Sequence, residues 1–229
     1  MKILLYHAVC EDQGFPTGAG TNTPPDMFEK QMACVRCNFS LLSLDAMIGP
    51  RSGDVAKPLA VTFDDGYGDN FIAAYPVLKK RGIPATFFLT VSQIGKNWDF
   101  PEGPYSGLSW EQVDIMQKDP MITIGSHGYG HKRLDLLTPV AAAGDIKISK
   151  MILEEKIGRP VEFFSYPYGS FNEQIKKAVR EAGFRAAFGV VSPRRDRFSW
   201  PRILISRGDN MFRFRLKLSP LYWPLRHLF

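Results

Sequence analysis

Along nearly its whole length this chain alternates short apolar runs with stretches of helical spacing, and almost every apolar run stops at a polar or glycine-bearing cluster. Residues 3–9, 41–44, 58–63, 85–91, 121–126, 161–166, 184–191 and 203–205 read as strands, most of them too continuously apolar to have a solvent face. The stretches between them carry helix start and stop signals. Asp26 is placed to cap a helix over 27–37, Ser43 or Asp45 to open a brief one, and Thr138 to cap a long one that reaches about Ile157. Ser109-Trp110-Glu111-Gln112 has the form of a capping box, and the stretches 69–81 and 172–182 stop at Gly82 and Gly183. About seven βα units, with no G-x-G-x-x-G turn after any strand, favour a (β/α) barrel of parallel strands over a dinucleotide-binding sheet. The expected organisation is one domain over residues 1–210 and a distinct tail over 211–229.

Such a fold says where to look, because parallel α/β proteins take their catalytic groups from the C-terminal ends of several strands. The run Pro58-Leu59-Ala60-Val61-Thr62-Phe63 ends in Asp64-Asp65-Gly66-Tyr67. Two carboxylates at the mouth of a buried strand repel each other and lose solvation, so something positive must hold them. The run over 121–126 ends in His127-Gly128-Tyr129-Gly130-His131. One Asp and two His make a three-ligand set for a transition metal, which leaves a fourth position for water and a second Asp as a base. His7 and the turn Tyr166-Pro167-Tyr168-Gly169 fall at strand ends as well. Each piece alone is weak: Asp-Asp-Gly is usually a turn, and a lone buried His is more often a hydrogen-bonded core group. Their order and shared position join them into a metal-dependent hydrolase.

With 45% hydrophobic and 13% aromatic residues the chain can bury a large core, which excludes disorder. Cys10, Cys34 and Cys37 cannot all pair, so a reducing compartment is the default, and Cys34-Val35-Arg36-Cys37 reads as packing thiols on a helix. No signal-peptide pattern opens the sequence and no apolar run approaches eighteen residues, so a cytoplasmic location is expected. The net charge of +6 is confined to one segment: residues 194–229 carry nine Lys and Arg against Asp196 and Asp209, and the rest balances at −1. That excludes a general nucleic-acid surface and leaves one local basic contact. In the tail, Met211, Phe212, Phe214, Leu218, Leu221, Tyr222, Trp223, Leu225 and Leu228 interleave with Arg213, Arg215, Lys217 and Arg226. These residues either cover the outside of the barrel or make a peripheral contact with the inner face of an anionic membrane.

Thr62-Phe63-Asp64-Asp65-Gly66, His127-Gly128-Tyr129-Gly130-His131 and Phe164-Ser165-Tyr166-Pro167-Tyr168-Gly169 resemble the successive motifs of NodB-type polysaccharide deacetylases, carbohydrate esterase family four. The likeness runs from Leu5-Tyr6-His7 to Trp200-Pro201-Arg202-Ile203. It implies a distorted (β/α) barrel and metal-dependent removal of an N-acetyl or O-acetyl group from a sugar or polysaccharide. By the resemblance Asp64 is the general base, and Asp65, His127 and His131 hold one divalent metal, Zn²⁺ being the ion expected. A backbone N–H at Tyr168, in the turn that Pro167 opens, faces the oxyanion. Trp98, with Phe100, Tyr105 and Trp110 in an aromatic-rich loop over 93–110, either stacks on a sugar face or packs beneath that loop.

Three positions depart from the commonest form of the family. The third motif often begins with an Arg that orients the catalytic Asp; this chain has Ser165 there. Arg202 resembles the Arg that a related branch offers from later in the chain, or is a surface Arg of the basic segment. The family's late His, which protonates the leaving amine, has no match in Ile203-Leu204-Ile205-Ser206. Either Asp64 returns its proton or His7 supplies one, and His7 is equally suited to a structural hydrogen bond. Gly128 stands where a Ser or Thr usually follows the first His, which bears on how the ligands are supported. Two other functions fit such a barrel: hydrolysis of an acetyl ester or another amide, and a silent carbohydrate-binding role, against which the intact Asp64, Asp65, His127 and His131 weigh.

Overall fold

The computed structural model describes residues 1–11, 20–49, 54–100, 103–190, 196–220 and 222. Strand β1 (Lys2–Tyr6) leads through α1 (Pro25–Asn38), β2 (Ser40–Leu41) and α2 (Leu44–Ile48) to β3 (Pro58–Phe63). Helix α3 (Tyr75–Arg81) and strand β4 (Ala85–Leu89) precede an antiparallel hairpin, β5 (Asn97–Phe100) and β6 (Gly103–Ser106). The chain continues through α4 (Trp110–Gln117), β7 (Ile122–Ser126), α5 (Pro139–Ile157), β8 (Phe163–Ser165), α6 (Glu173–Glu181), β9 (Ala186–Phe188), β10 (Ile203–Leu204) and α7 (Met211–Lys217).

Local chemistry accounts for most helix starts. Ser43, Ser109, Thr138 and Asn172 each accept a backbone N–H from the first turn of the helix they precede. Asp26 does not cap α1: Pro25 opens that helix, where a missing N–H costs nothing, and Asp26 sits in the first turn, 2.8 Å from Lys30. Residues 70–74 form a π-helical turn ahead of α3, so the stretch 69–81 is not one continuous α-helix.

Seven parallel strands follow the order β10-β1-β3-β4-β7-β8-β9, which is sequence order wrapped into a ring, and the short β2 pairs beside β3. Leu4 and Leu5 register with Ile203 and Leu204 on one side. On the other side Trp200 bridges Phe188; its N–H donates to the Ala187 carbonyl at 3.0 Å, and its carbonyl accepts from Gly189 at 2.9 Å. Residues 200–204 thus join the last strand to the first, and the sheet curls into the distorted barrel the sequence predicts.

Side-chain alternation separates two apolar layers. Tyr6, Phe63 and Phe87 stack at 5.5 and 4.6 Å between centroids, and Phe28 of α1 meets Tyr6 edge-on at 5.2 Å. They belong to the layer between strands and helices. Residues of opposite parity (Ile3, Ala60, Phe88, Phe163, Ala186 and Phe188) pack together inside the ring, where Leu44 and Met47 of α2 join them. The barrel is therefore filled, not open. Gly125 is required by that filling, since a Cβ there would lie 2.5 Å from the Phe88 ring.

Helix α7 returns to this core. Phe214 and Leu218 enter the outer layer, and Lys217 is buried with Nζ 2.6 Å from Asp209 Oδ2 and 2.8 Å from the Leu204 carbonyl. Asp209 also accepts the Ser206 N–H at 2.7 Å, and its carbonyl accepts Gln31 Nε2 at 3.1 Å. Phe212, 75% exposed, faces outward with Arg213 and Arg215. Leu221, Trp223, Leu225, Arg226 and Leu228 lie outside the described residues. No disulfide links Cys10, Cys34 and Cys37, and Cys34 packs against the outer layer. Among the described residues, no helix is long and apolar enough to cross a membrane.

Breaking the Lys217–Asp209 pair on one side strands a buried charge. Lys217→Met is expected to cost about 3–5 kcal/mol of unfolding free energy, and the double change Lys217→Met with Asp209→Leu much less than the sum of its parts. Urea denaturation followed by tryptophan fluorescence measures both; strictly additive losses would show that the pair is uncoupled.

Candidate active site

The C-terminal ends of the strands converge on a cavity of about 590 Å³ lined by His7, Asp64, Asp65, Trp98, His127, His131 and Tyr168 among others. The acid pair enters it by an unusual turn. In a strand, adjacent side chains point to opposite faces, so Asp64 and Asp65 would diverge if β3 simply continued. Instead the Gly66 N–H donates to the Asp64 carbonyl at 2.9 Å across Asp65, whose φ is +74°. That is the rarer, strained form of γ-turn, and it swings both carboxylates toward one cavity. Asp65, His131 (φ +50°) and Tyr168 (φ +61°) all hold left-handed conformations that non-glycine residues seldom adopt, and all three line this cavity.

Asp64 is 2% exposed, and Arg202, 1% exposed, lies behind it inside the barrel. The guanidinium is bidentate: Nη1 donates to Asp64 Oδ1 at 2.7 Å and Nη2 to Asp64 Oδ2 at 2.6 Å. Its remaining donors go to Thr62 Oγ1 at 3.2 Å, Ser165 Oγ at 2.7 Å and the Gly189 carbonyl at 3.1 Å, so all five N–H groups are used. Ser165 Oγ in turn donates to Asp64 Oδ2 at 2.8 Å. Arg202 is thus no surface residue; Ser165 at the end of β8 and Arg202 just ahead of β10 together occupy Asp64. Burial pushes the Asp64 carboxyl up, but Arg202 and the neighbouring His127 outweigh it and hold the group below the usual carboxylate range.

Asp65 has different company. His127 Nε2 lies 3.2 Å and His131 Nε2 3.1 Å from the same oxygen, Asp65 Oδ1. Burial raises the Asp65 pKa, yet the two imidazoles beside the carboxylate prevail and hold it well below its ordinary value. His127 Nδ1 is 2.9 Å from the Ser165 carbonyl. A carbonyl only accepts, so Nδ1 carries the proton and Nε2 is the nitrogen left to bind a cation. Burial lowers the His127 pKa, but the neighbouring Asp64 and Asp65 carboxylates raise it above the imidazole norm. The donor set fits a divalent metal: one carboxylate oxygen and two imidazole nitrogens, all within 4.8 Å of one another, at the edge of a cavity.

The other predicted residues divide. His7 lines the cavity with Nδ1 buried and without a hydrogen-bond partner, and burial lowers its pKa. The Trp98 ring stands edge-on to His131 at 5.1 Å and lies 5.3 Å from Tyr67, forming one wall. Tyr168 is exposed at the rim, 4.8 Å from the His131 ring, whereas Pro167 is buried and does not line the cavity. Tyr105 donates to Asp69 Oδ2 at 2.6 Å, and Asp69 also accepts the Val9 N–H at 2.7 Å, so Tyr105 ties down the hairpin. Trp110 begins α4, outside the cavity lining, and the Phe100 side chain lies outside what is described. Thr62, the two Ser165 hydrogen bonds and the Gly189 carbonyl were not foreseen as parts of the site. Polar residues on inward-facing strand positions are the signal that marks them, since such positions are otherwise apolar.

Comparison with known proteins agrees with this geometry. A family model described as polysaccharide deacetylase matches residues 52–187. The poly-beta-1,6-N-acetyl-D-glucosamine N-deacetylase of Staphylococcus epidermidis is 33% identical over 159 residues, which are 64% of this chain and 54% of that protein. This chain therefore matches about half of that relative's length. Among solved structures, the deacetylase PplD of Streptococcus pyogenes in complex with acetate has the same fold, with a TM-score of 0.81 over 96% of this chain and 98% of that one at 22% identity. IcaB from Ammonifex degensii aligns with a TM-score of 0.76 and 26% identity over 99% of this chain and 95% of its own. With more than half of its length matched by the family model, and the motif residues meeting at one cavity as that likeness requires, this chain belongs to the polysaccharide deacetylase family, hydrolases of the acetyl groups of carbohydrates.

Proposed function

We propose that this protein removes acetyl groups from the N-acetylated sugars of a polysaccharide, with a divalent metal, Zn²⁺ by the donor set, held by Asp65, His127 and His131. The observation that carries the reading is the convergence of two imidazole Nε2 atoms on Asp65 Oδ1 beside a second carboxylate that is kept ionised. The name of the staphylococcal relative supports an N-acetylglucosamine polymer as the substrate class.

A cation bound there would polarise the acetyl carbonyl and make water more acidic. The protein's own groups supply the proton traffic. Asp64 accepts the proton of the attacking water; a carboxylate of lowered pKa is a weak base, and its place in the cavity compensates. The same group, once protonated, is a good acid and returns the proton to the leaving amine. His7 is the poorer donor because burial keeps its ring neutral near pH 7; it serves as a hydrogen-bonding wall for the sugar. The Tyr168 amide, in a left-handed turn at the rim, is the donor assigned to the developing oxyanion. Trp98 offers an apolar face to the ring.

The acid pair should separate by substitution. Asp64→Asn is expected to retain metal and slow acetate release by about a hundredfold to ten-thousandfold, whereas Asp65→Asn loses metal, as measured by elemental analysis after dialysis. The reverse pattern would exchange their roles, and release from a sugar ester but not from a sugar amide would replace the substrate class.

Arg202 acts through Asp64, so its removal should appear in the pH profile. Asp64 must be ionised to work, and its pKa is depressed by Arg202 against the upward push of burial. In Arg202→Met that push wins, and the acid limb of kcat/KM against pH moves to higher pH. An acid limb that stayed in place would show that Arg202 does not hold Asp64 ionised.

A further inference from the structure

The loop that carries both imidazoles, 127–131, contains two glycines and left-handed residues at Gly128 (φ +79°) and His131 (φ +50°). A segment of that kind has many conformations of similar energy when nothing else binds it. Two sets of hydrogen bonds select one. On one side the carbonyls of Gly128 and Tyr129 accept the N–H groups of Val91 and Ser92 at 3.2 and 2.9 Å. On the other side a single carboxylate, Asp145 of α5, accepts the Tyr129 N–H on Oδ1 at 2.8 Å and the Gly130 N–H on Oδ2 at 3.0 Å. One turn along the same face of α5, Ser149 Oγ lies 2.7 Å from Ser126 Oγ, which accepts the Gly128 N–H at 3.1 Å.

We propose that Asp145 is a positioning residue for the metal: it fixes the loop so that His127 and His131 present their Nε2 atoms to the same point as Asp65. Gly128 and Asp145 are one device. A Cβ at position 128 would lie 2.8 Å from Asp145 Oδ1, so with glycine there, at a φ of +79° that other residues seldom adopt, the carboxylate reaches the loop without having to shift. The support that a polar side chain after the first His would give comes here from a carboxylate entering from α5. The carboxylate engages two successive N–H groups with charge-assisted bonds, a stiffer hold than one hydroxyl supplies. Asp145 touches neither imidazole, and its effect on the ion is entirely through the backbone.

This inference rests on the metal reading of the site. The test is titration of the metal-free full-length chain with Co²⁺, read by visible absorption, together with hydrogen–deuterium exchange. Asp145→Ala is expected to bind Co²⁺ about tenfold to a hundredfold more weakly, with an altered spectrum and with exchange protection lost only in peptides spanning 126–131. Asp145→Asn, which has one acceptor for two donors, should fall between; it carries the same comparison if the alanine variant does not fold. Unchanged Co²⁺ affinity and spectrum in Asp145→Ala would overturn the proposal, as would loss of protection along the whole of α5, which would make Asp145 a helix-docking group. Wild-type protein that took up no Co²⁺ at all would overturn the metal reading and this one with it.

Discussion

A carboxylate placed at the top of a filled barrel stays ionised only if something inside the barrel is positive, and the rest of this structure is arranged around that requirement. Arg202 meets it with a bidentate contact to Asp64 and with every remaining N–H bonded to Thr62, Ser165 or Gly189. Full satisfaction matters because a buried ion pair with unmet donors costs more in lost hydration than it gains. The guanidinium also lies over the Phe88 ring, 5.4 Å from its centroid, so the charged layer sits directly on the apolar plug. Arg202 belongs to the segment that joins β9 to β1. Closing the barrel and ionising Asp64 are consequently the same structural event.

The two adjacent acids show how neighbours separate chemically identical groups. Burial pushes both pKa values upward, and both end up depressed, but the opposing charge differs. Asp64 is held by an arginine that cannot give up its proton, so its partner is permanent. Asp65 faces two imidazole Nε2 atoms, a donor set that a cation would share with it, so its partner is exchangeable. The strained turn at Asp65 is what allows both environments to exist one residue apart. Strain of this kind persists only where the surroundings over-determine it, and here β3, the Thr90 N–H on the Asp65 carbonyl and the loop over 127–131 do so.

The wall that Trp98 forms is built on a different principle. The hairpin of β5 and β6 lies outside the barrel sheet and is tied to the rim by Tyr105 on Asp69 and by the Gly68 N–H on the Ser106 carbonyl at 2.8 Å. Asp69 simultaneously holds the chain just after His7 through the Val9 N–H. One buried side chain, Asp69, thereby ties the hairpin that carries Trp98 to the chain that carries His7, and both of those residues line the cavity.

The barrel and the residues at its mouth are legible in the order of amino acids alone. Apolar runs too continuous for a solvent face, each stopped by polar residues, allow little else than parallel strands with functional ends, and Asp64, Asp65, His127 and His131 stand at those ends. The caps at Ser43, Ser109 and Thr138 were legible because capping is chemistry within four residues. Asp26 misled because the proline before it removes the need for a cap. Which group meets which follows only from the folded arrangement. Whether Arg202 is a surface cation or the partner of Asp64 depends on a contact across 138 positions, and the brace from Asp145 to Gly130 depends on how α5 lies against the barrel. Local sequence encodes backbone preference and burial, whereas the match of a charge to its counter-charge is settled only when distant strands close into a ring and exclude the water that would otherwise screen them.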